Sequence, residues 1–247
     1  MSWLQMSLKK FAELACNRFG NETLKWVYLK ISILKFRNMK LNIRFMVPVV
    51  CLLFWGITQG QEMKMKDKNP KSEQLRLAMH KLWEDHVTWT RNVILNIIDD
   101  LPGTQQAVDR LLKNQDDIGN AIKPVYGDAA GTELTKLLRE HITTAADLLK
   151  AAKTGNNSAY QDANKKWFAN ADEISAFLSK ANPHWKLEDM KKMMHDHLNF
   201  TTEEATARLK KDYDADVKAY DKVHDEILMM ADMLTDGILQ QFPEKFK

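Results

Sequence analysis

Residues 201–240, TTEEATARLKKDYDADVKAYDKVHDEILMMADMLTDGILQ, decide the fold because their apolar residues recur every three or four positions. That spacing is typical of one face of an α-helix. Thr201 and Glu204 have the spacing of a capping box, which predicts that the helix begins there. The predicted inward face of this long helix comprises Leu209, Tyr213, Val217, Tyr220, His224, Ile227, Ala231, Leu234 and Ile238.

The same periodicity extends upstream to about residue 72, and no stretch alternates between apolar and polar residues as a strand does. Proline and glycine at Pro124, Gly155 and Pro183 mark breaks between elements. We predict an all-α fold, an up-and-down four-helix bundle with two additional short helices, in one domain over 72–247. The predicted long helices cover 72–99, 128–153, 157–182 and 201–240, and the short ones cover 104–122 and 187–198.

Residues 39–60 have the layout of a secretory signal peptide, with Lys40 and Arg44 ahead of an apolar run over 45–58. The run is shorter than the roughly 20 apolar residues that a membrane-spanning helix needs. We therefore expect cleavage and export to the periplasm or the extracellular space, with no permanent membrane span. Residues 1–38 are then a mis-assigned start or a basic presequence, and residues 61–71 are a polar linker.

The charge balance and the cysteine content limit the kinds of binding site that this protein can contain. The whole chain has 36 basic and 33 acidic residues. Nine of the basic and two of the acidic residues lie in residues 1–60. Residues 61–247 therefore contain 27 basic and 31 acidic residues and have a formal net charge of −4. Nucleic-acid binding needs clustered Lys and Arg, and this balance disfavours it. Both cysteines, Cys16 and Cys51, also lie in the leader. Disulfides and thiolate metal sites are therefore excluded from the exported part.

Three histidines, His86, His141 and His224, lie on the predicted inward faces of three different helices. Inward residues of neighbouring helices build metal and ligand sites in bundle proteins, and neutral imidazole binds divalent transition metals. We predict that these histidines converge on a metal. Gln115 and Asn170 also interrupt apolar faces. As buried amides that need hydrogen-bond partners, they are predicted to bind a ligand in the same cavity.

A structural interpretation competes with this one. Each histidine is then a core residue bonded to a backbone carbonyl or a carboxylate, and the two amides fix the helix register. His195 and His197 are two positions apart, point to different helix faces, and are left out of the predicted site.

The chain contains neither a phosphate loop, nor a nucleophile elbow, nor a His-Glu-x-x-His motif. The sequence therefore favours a non-enzymatic protein that binds a metal ion or small polar ligand inside the bundle. A structural or interaction protein of the cell envelope, with no internal ligand, is the alternative.

Several segments resemble a family of small uncharacterised bacterial helical-bundle proteins, and the resemblance covers about residues 75–246. Some members carry automatic labels such as glycosyltransferase or acetylglutamate kinase, which makes a transferase the lesser alternative. The common folds of those enzymes need strands that this chain does not predict. The resembling segments are Leu82–Arg91, Leu111–Gly119, Tyr126–Gly127, Leu134–Ile142, Trp167–Ile174 and Gln241–Phe246.

Overall fold

A computed structural model describes residues 70–247, and this part of the chain is all-helical, without a strand. The predicted signal peptide, the presequence and most of the linker lie outside the described residues. Six α-helices are followed by a short 3-10 helix, Pro243–Phe246. The helices are α1 (Pro70–Ile98), α2 (Thr104–Tyr126), α3 (Asp128–Thr154), α4 (Asn157–Ala181), α5 (Leu187–Leu209) and α6 (Tyr213–Gln241).

The prediction of four long and two short helices is wrong, because all six helices have 23 to 29 residues. The second helix does not end before Pro124 but includes it in its last turn and continues to Tyr126. The fifth continues from Leu187 to Leu209 without a break at Thr201. The Thr201 hydroxyl donates to the carbonyl of His197, 2.9 Å away, inside α5. Thr201 and Glu204 are therefore interior helix residues and form no capping box.

The break between α5 and α6 lies at Lys211 and Asp212. Lys211 has a φ of 60°, which ends a right-handed helix. The Asp212 side chain accepts a hydrogen bond from the backbone N–H of Ala215 at 3.1 Å, as an N-cap does. The last helix therefore begins at Tyr213 and not at Thr201.

The first half of α6 is rotated relative to the predicted inward face. Tyr213 and Val217, which were predicted to face inward, are each more than half exposed. Asp216, Val223 and Glu226 are buried instead. Carboxylates occupy interior positions here because other helices supply charged or hydrogen-bonding partners for them.

Each helix packs against the next one in the chain, and α1 also contacts α3, α5 and α6. The interior contains two apolar clusters. The larger includes Trp83, Ile118 and Leu138, and the smaller includes Ile94 and Leu111. No helix within residues 70–247 combines the length and apolar character needed to cross a bilayer.

Candidate functional site

Each of the six helices within residues 70–247 contributes at least one buried polar side chain that lies close in the chain to residues of the apolar clusters. Along α2, for example, Gln115 lies one turn from Leu111 of the smaller cluster and three residues before Ile118 of the larger one. We call this set the histidine cluster, and every member is at most 5% exposed. Its members are His86, Asn114, Gln115, His141, Asn170, His197 and Glu226.

His86 on α1 is held against the two amides of α2. Its Nδ1 lies 3.3 Å from Nε2 of Gln115. The two hydrogens of that amide nitrogen are donated to the carbonyl of Leu111 at 2.8 Å and to Oδ1 of Asn114 at 3.1 Å. Asn114 itself donates to the carbonyl of Leu82 on α1 at 2.9 Å. These contacts connect α1 to α2 and fix the direction in which the Gln115 amide points.

His141 on α3 is oriented by Asn170 on α4. The Asn170 amide nitrogen donates to the carbonyl of Leu137 at 3.1 Å, so Oδ1 is the atom that faces the imidazole. Oδ1 lies 2.9 Å from Nδ1 of His141. Because an amide oxygen only accepts, Nδ1 carries the proton and Nε2 of the neutral ring is left with a lone pair. The ring also lies against Trp167, with 5.4 Å between the ring centroids.

His197 on α5 joins α6 to the cluster. Its Nδ1 lies 3.0 Å from Oε2 of Glu226, a contact between two buried side chains. The imidazoles of His197 and His86 are neighbours, with 5.8 Å between their ring centroids. Histidines from α1 and α5 are therefore in direct contact.

The electrostatics of the cluster keep two of its imidazoles neutral at neutral pH. Burial, and then the charges of His197 and His141, hold the pKa of His86 well below its usual value. Burial, followed by the charge of His197, lowers the pKa of His141 to about 3. Hydrogen bonds from the amides raise both pKa values, but burial dominates. His197 thus acts electrostatically on both other rings, and it is also in direct ring contact with His86.

Two oxygen atoms of the cluster have no hydrogen-bond partner among residues 70–247. They are Oε1 of Gln115 and Oε1 of Glu226, and both are buried. Leaving a buried acceptor unpaired costs roughly 1 to 3 kcal/mol, and more for a charged group. Gln115 contacts His86, and Glu226 contacts the neighbouring His197. The unsatisfied acceptors therefore belong to side chains that flank one pair of rings.

A network of charges lies beside the cluster. Arg91 on α1 donates to Glu204 on α5 at 2.6 Å and to Asp216 on α6 at 2.8 Å. Both carboxylates are buried. Burial raises the pKa of Glu204 to about 7 against the opposing effect of Arg91, and the charge of His197 also lowers it. The network thus joins α1, α5 and α6 and is electrostatically connected to the histidine cluster.

The structure pairs four of the five predicted site residues across helices and separates the fifth. His86 lies with Gln115, and His141 lies with Asn170. The predicted inward position of His224 is corrected: its side chain is 31% exposed, and Nε2 lies 3.7 Å from Glu84. His224 occupies the edge of α6, because the rotation of that helix turns Val223 and Glu226 inward.

Sequence reasoning missed His197, Glu226 and Asn114. A signal for His197 was present: an α5 extended to Leu209 has a buried face that includes Met190, Met194, His197 and Thr201. Ending that helix at Leu198 concealed the pattern.

Within the described part of the chain, no three His, Asp or Glu side chains are arranged to hold a metal ion. Both Cys residues lie outside it. The cluster is thus a set of imidazoles, amides and a carboxylate with two unpartnered acceptor oxygens. Neither a family model, nor a curated protein, nor a solved structure matches this chain.

Proposed function

We propose that this chain is an exported, non-enzymatic binding protein whose histidine cluster holds a small ligand that carries N–H or O–H donors. The observation that carries the proposal is the pair of unpartnered buried oxygens, on Gln115 and Glu226, flanking the contacting rings of His86 and His197. A donor-bearing ligand would satisfy both oxygens, because both are hydrogen-bond acceptors.

Of the two occupants that the sequence predicted, a small polar molecule is favoured over a divalent transition metal. The described residues offer no set of three metal ligands. The lone pair on Nε2 of His141 adds a further acceptor, since Asn170 fixes the proton on Nδ1. The two unpartnered oxygens and this lone pair suit a molecule with several hydrogens to donate.

We further propose that the six helices form an up-and-down bundle. Two observations support this arrangement: each helix contacts its neighbour in sequence, and the first helix contacts the last. In such a bundle, every helix would contribute a polar residue to the histidine cluster.

The proposal is tested on the full chain, purified without a histidine tag and examined by native mass spectrometry. We expect a small-molecule adduct on the wild-type protein, or one that forms with millimolar acetamide, guanidinium or imidazole. The His86→Ala/His141→Ala double variant should lose it, and circular dichroism checks that this variant is folded. His224→Ala is the matched control and should keep the adduct, because His224 lies outside the cluster.

Elemental mass spectrometry of the same samples separates the alternatives. A stoichiometric metal that is present in the wild type and lost in the double variant would refute the preference for an organic ligand and restore the metal interpretation. Wild-type protein with neither metal nor adduct, and without response to the three probes, would refute the binding proposal. That result would favour the envelope interaction protein, in which the histidines are only packed.

A further inference from the structure

A cavity distinct from the histidine cluster lies one helical turn away from it. Its volume is about 50 Å³. Thr90, Ala145 and Thr201, which lie four residues after His86, His141 and His197, are in its wall. Most of the remaining wall is aliphatic, including Ile94, Leu111 and Leu149. The cavity thus lies beside the smaller apolar cluster and contains none of the cluster histidines.

The hydroxyl groups in the wall are largely turned to their own helices. Thr90 donates to the carbonyl of His86 at 2.8 Å, Thr201 to that of His197 at 2.9 Å, and Thr202 to that of Leu198 at 2.8 Å. Among the described residues in the wall, Trp167 Nε1 is the one buried side-chain nitrogen or oxygen without a partner. A buried water molecule needs two to four polar partners, so water is poorly held here.

The volume of the cavity and its access from the surface both suit the binding of a small molecule. The volume of about 50 Å³ is several times the roughly 10 to 15 Å³ that admits one water molecule. On one side the wall is only partly buried, at Ala145, Ala152, Tyr160, Thr202, Thr206 and Leu209. These residues belong to α3, α4 and α5 and mark a path from the surface. Empty apolar cavities in proteins bind apolar guests such as xenon.

We propose that this cavity binds a small apolar molecule of about two to four heavy atoms, such as a dissolved gas or a short hydrocarbon. The guest gains dispersion contacts with aliphatic side chains that otherwise face empty space. Binding of this apolar molecule requires no ligand in the histidine cluster. This proposal can therefore be tested independently of the polar ligand proposed above.

Xenon is the probe, applied under pressure to the full chain with methyl groups labelled for NMR. We expect saturable shifts at the methyl groups of Ile94, Ile142 and Leu149, which line the cavity. The methyl groups of Ile227, which is buried but lies outside the wall, should not shift. Absence of a saturable shift at the cavity methyl groups, or an equal shift at Ile227, would overturn the proposal.

Two matched variants locate the guest. Ala205→Val adds two methyl groups to the wall and should abolish the saturable shifts. Ala163→Val makes the same change at an equally buried alanine outside the cavity and should leave them intact. If Ala205→Val does not fold, Ala146→Val fills the same cavity from α3 and replaces it. Xenon shifts that persist in a folded cavity-filling variant would contradict the assignment of the guest to this cavity. If neither variant folds, the wild-type shifts alone decide whether the proposal holds.

Discussion

Replacing His141 with glutamine should remove a defined part of the acid sensitivity of this protein. Burial lowers the pKa of this imidazole to about 3 in the folded chain. Its unfolded value is about 6.5. Above pH 6.5 both states are neutral at this ring, and its full contribution to stability is present. Between pH 6.5 and about pH 3 the ring binds a proton in the unfolded chain but not in the native chain, so the free energy of unfolding decreases as the pH falls.

The size of the effect follows from the difference between the two pKa values. Each pH unit over which only the unfolded state is protonated removes about 1.4 kcal/mol from the free energy of unfolding. Between pH 7 and pH 5 the His141 ring alone should therefore cost about 2 kcal/mol. A glutamine does not titrate, and its amide can still donate to Oδ1 of Asn170. The variant should thus lose about 2 kcal/mol less than the wild type over this interval.

Urea unfolding of the full chain, followed by far-ultraviolet circular dichroism at pH 7, 6 and 5, measures this difference. Comparing the variant with the wild type at each pH cancels the titration of other groups to first order. Thr235→Val is the control, because it removes a buried hydroxyl that does not titrate, and its effect should be the same at each pH. If His141→Gln and the wild type lost equal stability between pH 7 and pH 5, the ring would not be buried in its neutral form.

Glu204→Gln should show the opposite pH dependence. Burial raises the folded pKa of Glu204 to about 7, so wild-type stability falls as the pH rises above the unfolded pKa of about 4.5. In urea titrations, the stability of the variant relative to the wild type should rise by roughly 2 to 3 kcal/mol between pH 5 and pH 8. No relative gain would show that Arg91 keeps the native carboxylate ionised. Gly119→Ala should lower the thermal midpoint by several degrees, because its Cβ would lie 2.6 Å from the carbonyl oxygen of Gly131 where α2 meets α3. Gly103→Ala is the control, since the nearest atom to its Cβ is 3.4 Å away, and equal midpoints for the two variants would contradict the close approach. Export is tested by expressing the chain in bacteria and measuring the mass of the periplasmic product; we expect a new N-terminus near residue 60, and an intact leader would refute the signal peptide.

The prediction of helical structure was successful because its evidence is local. Gly155, for example, adopts a left-handed φ of 67° at the end of α3, as a glycine after a helix was expected to do. The start of α6 was predicted wrongly for a reason that can also be traced to particular residues. Thr201 and Glu204 satisfy a local capping pattern, yet Glu204 is engaged by Arg91, which lies 113 residues earlier in the chain. No window of neighbouring residues contains that partner.

The histidine cluster was predicted in part for the same reason. His86, His141, Gln115 and Asn170 each interrupt an apolar stripe, and a stripe is visible in the sequence. His197 and Glu226 were missed because their positions depend on the extent of α5 and the rotation of α6. Arg91 lies 125 residues before Asp216 and holds that carboxylate inside, which turns Glu226 inward and leaves His224 at the edge.

The sequence by itself determined that residues 70–247 are helical, because periodicity and turn residues act within a few positions along the chain. Only the tertiary structure decided which polar side chains meet. That choice depends on how each helix is rotated about its axis against its neighbours, and a rotation of about 100° exchanges one residue for the next. Contacts between residues far apart in the chain, such as Arg91 with Asp216 and His197 with Glu226, stabilise these rotations, and through them one interior site.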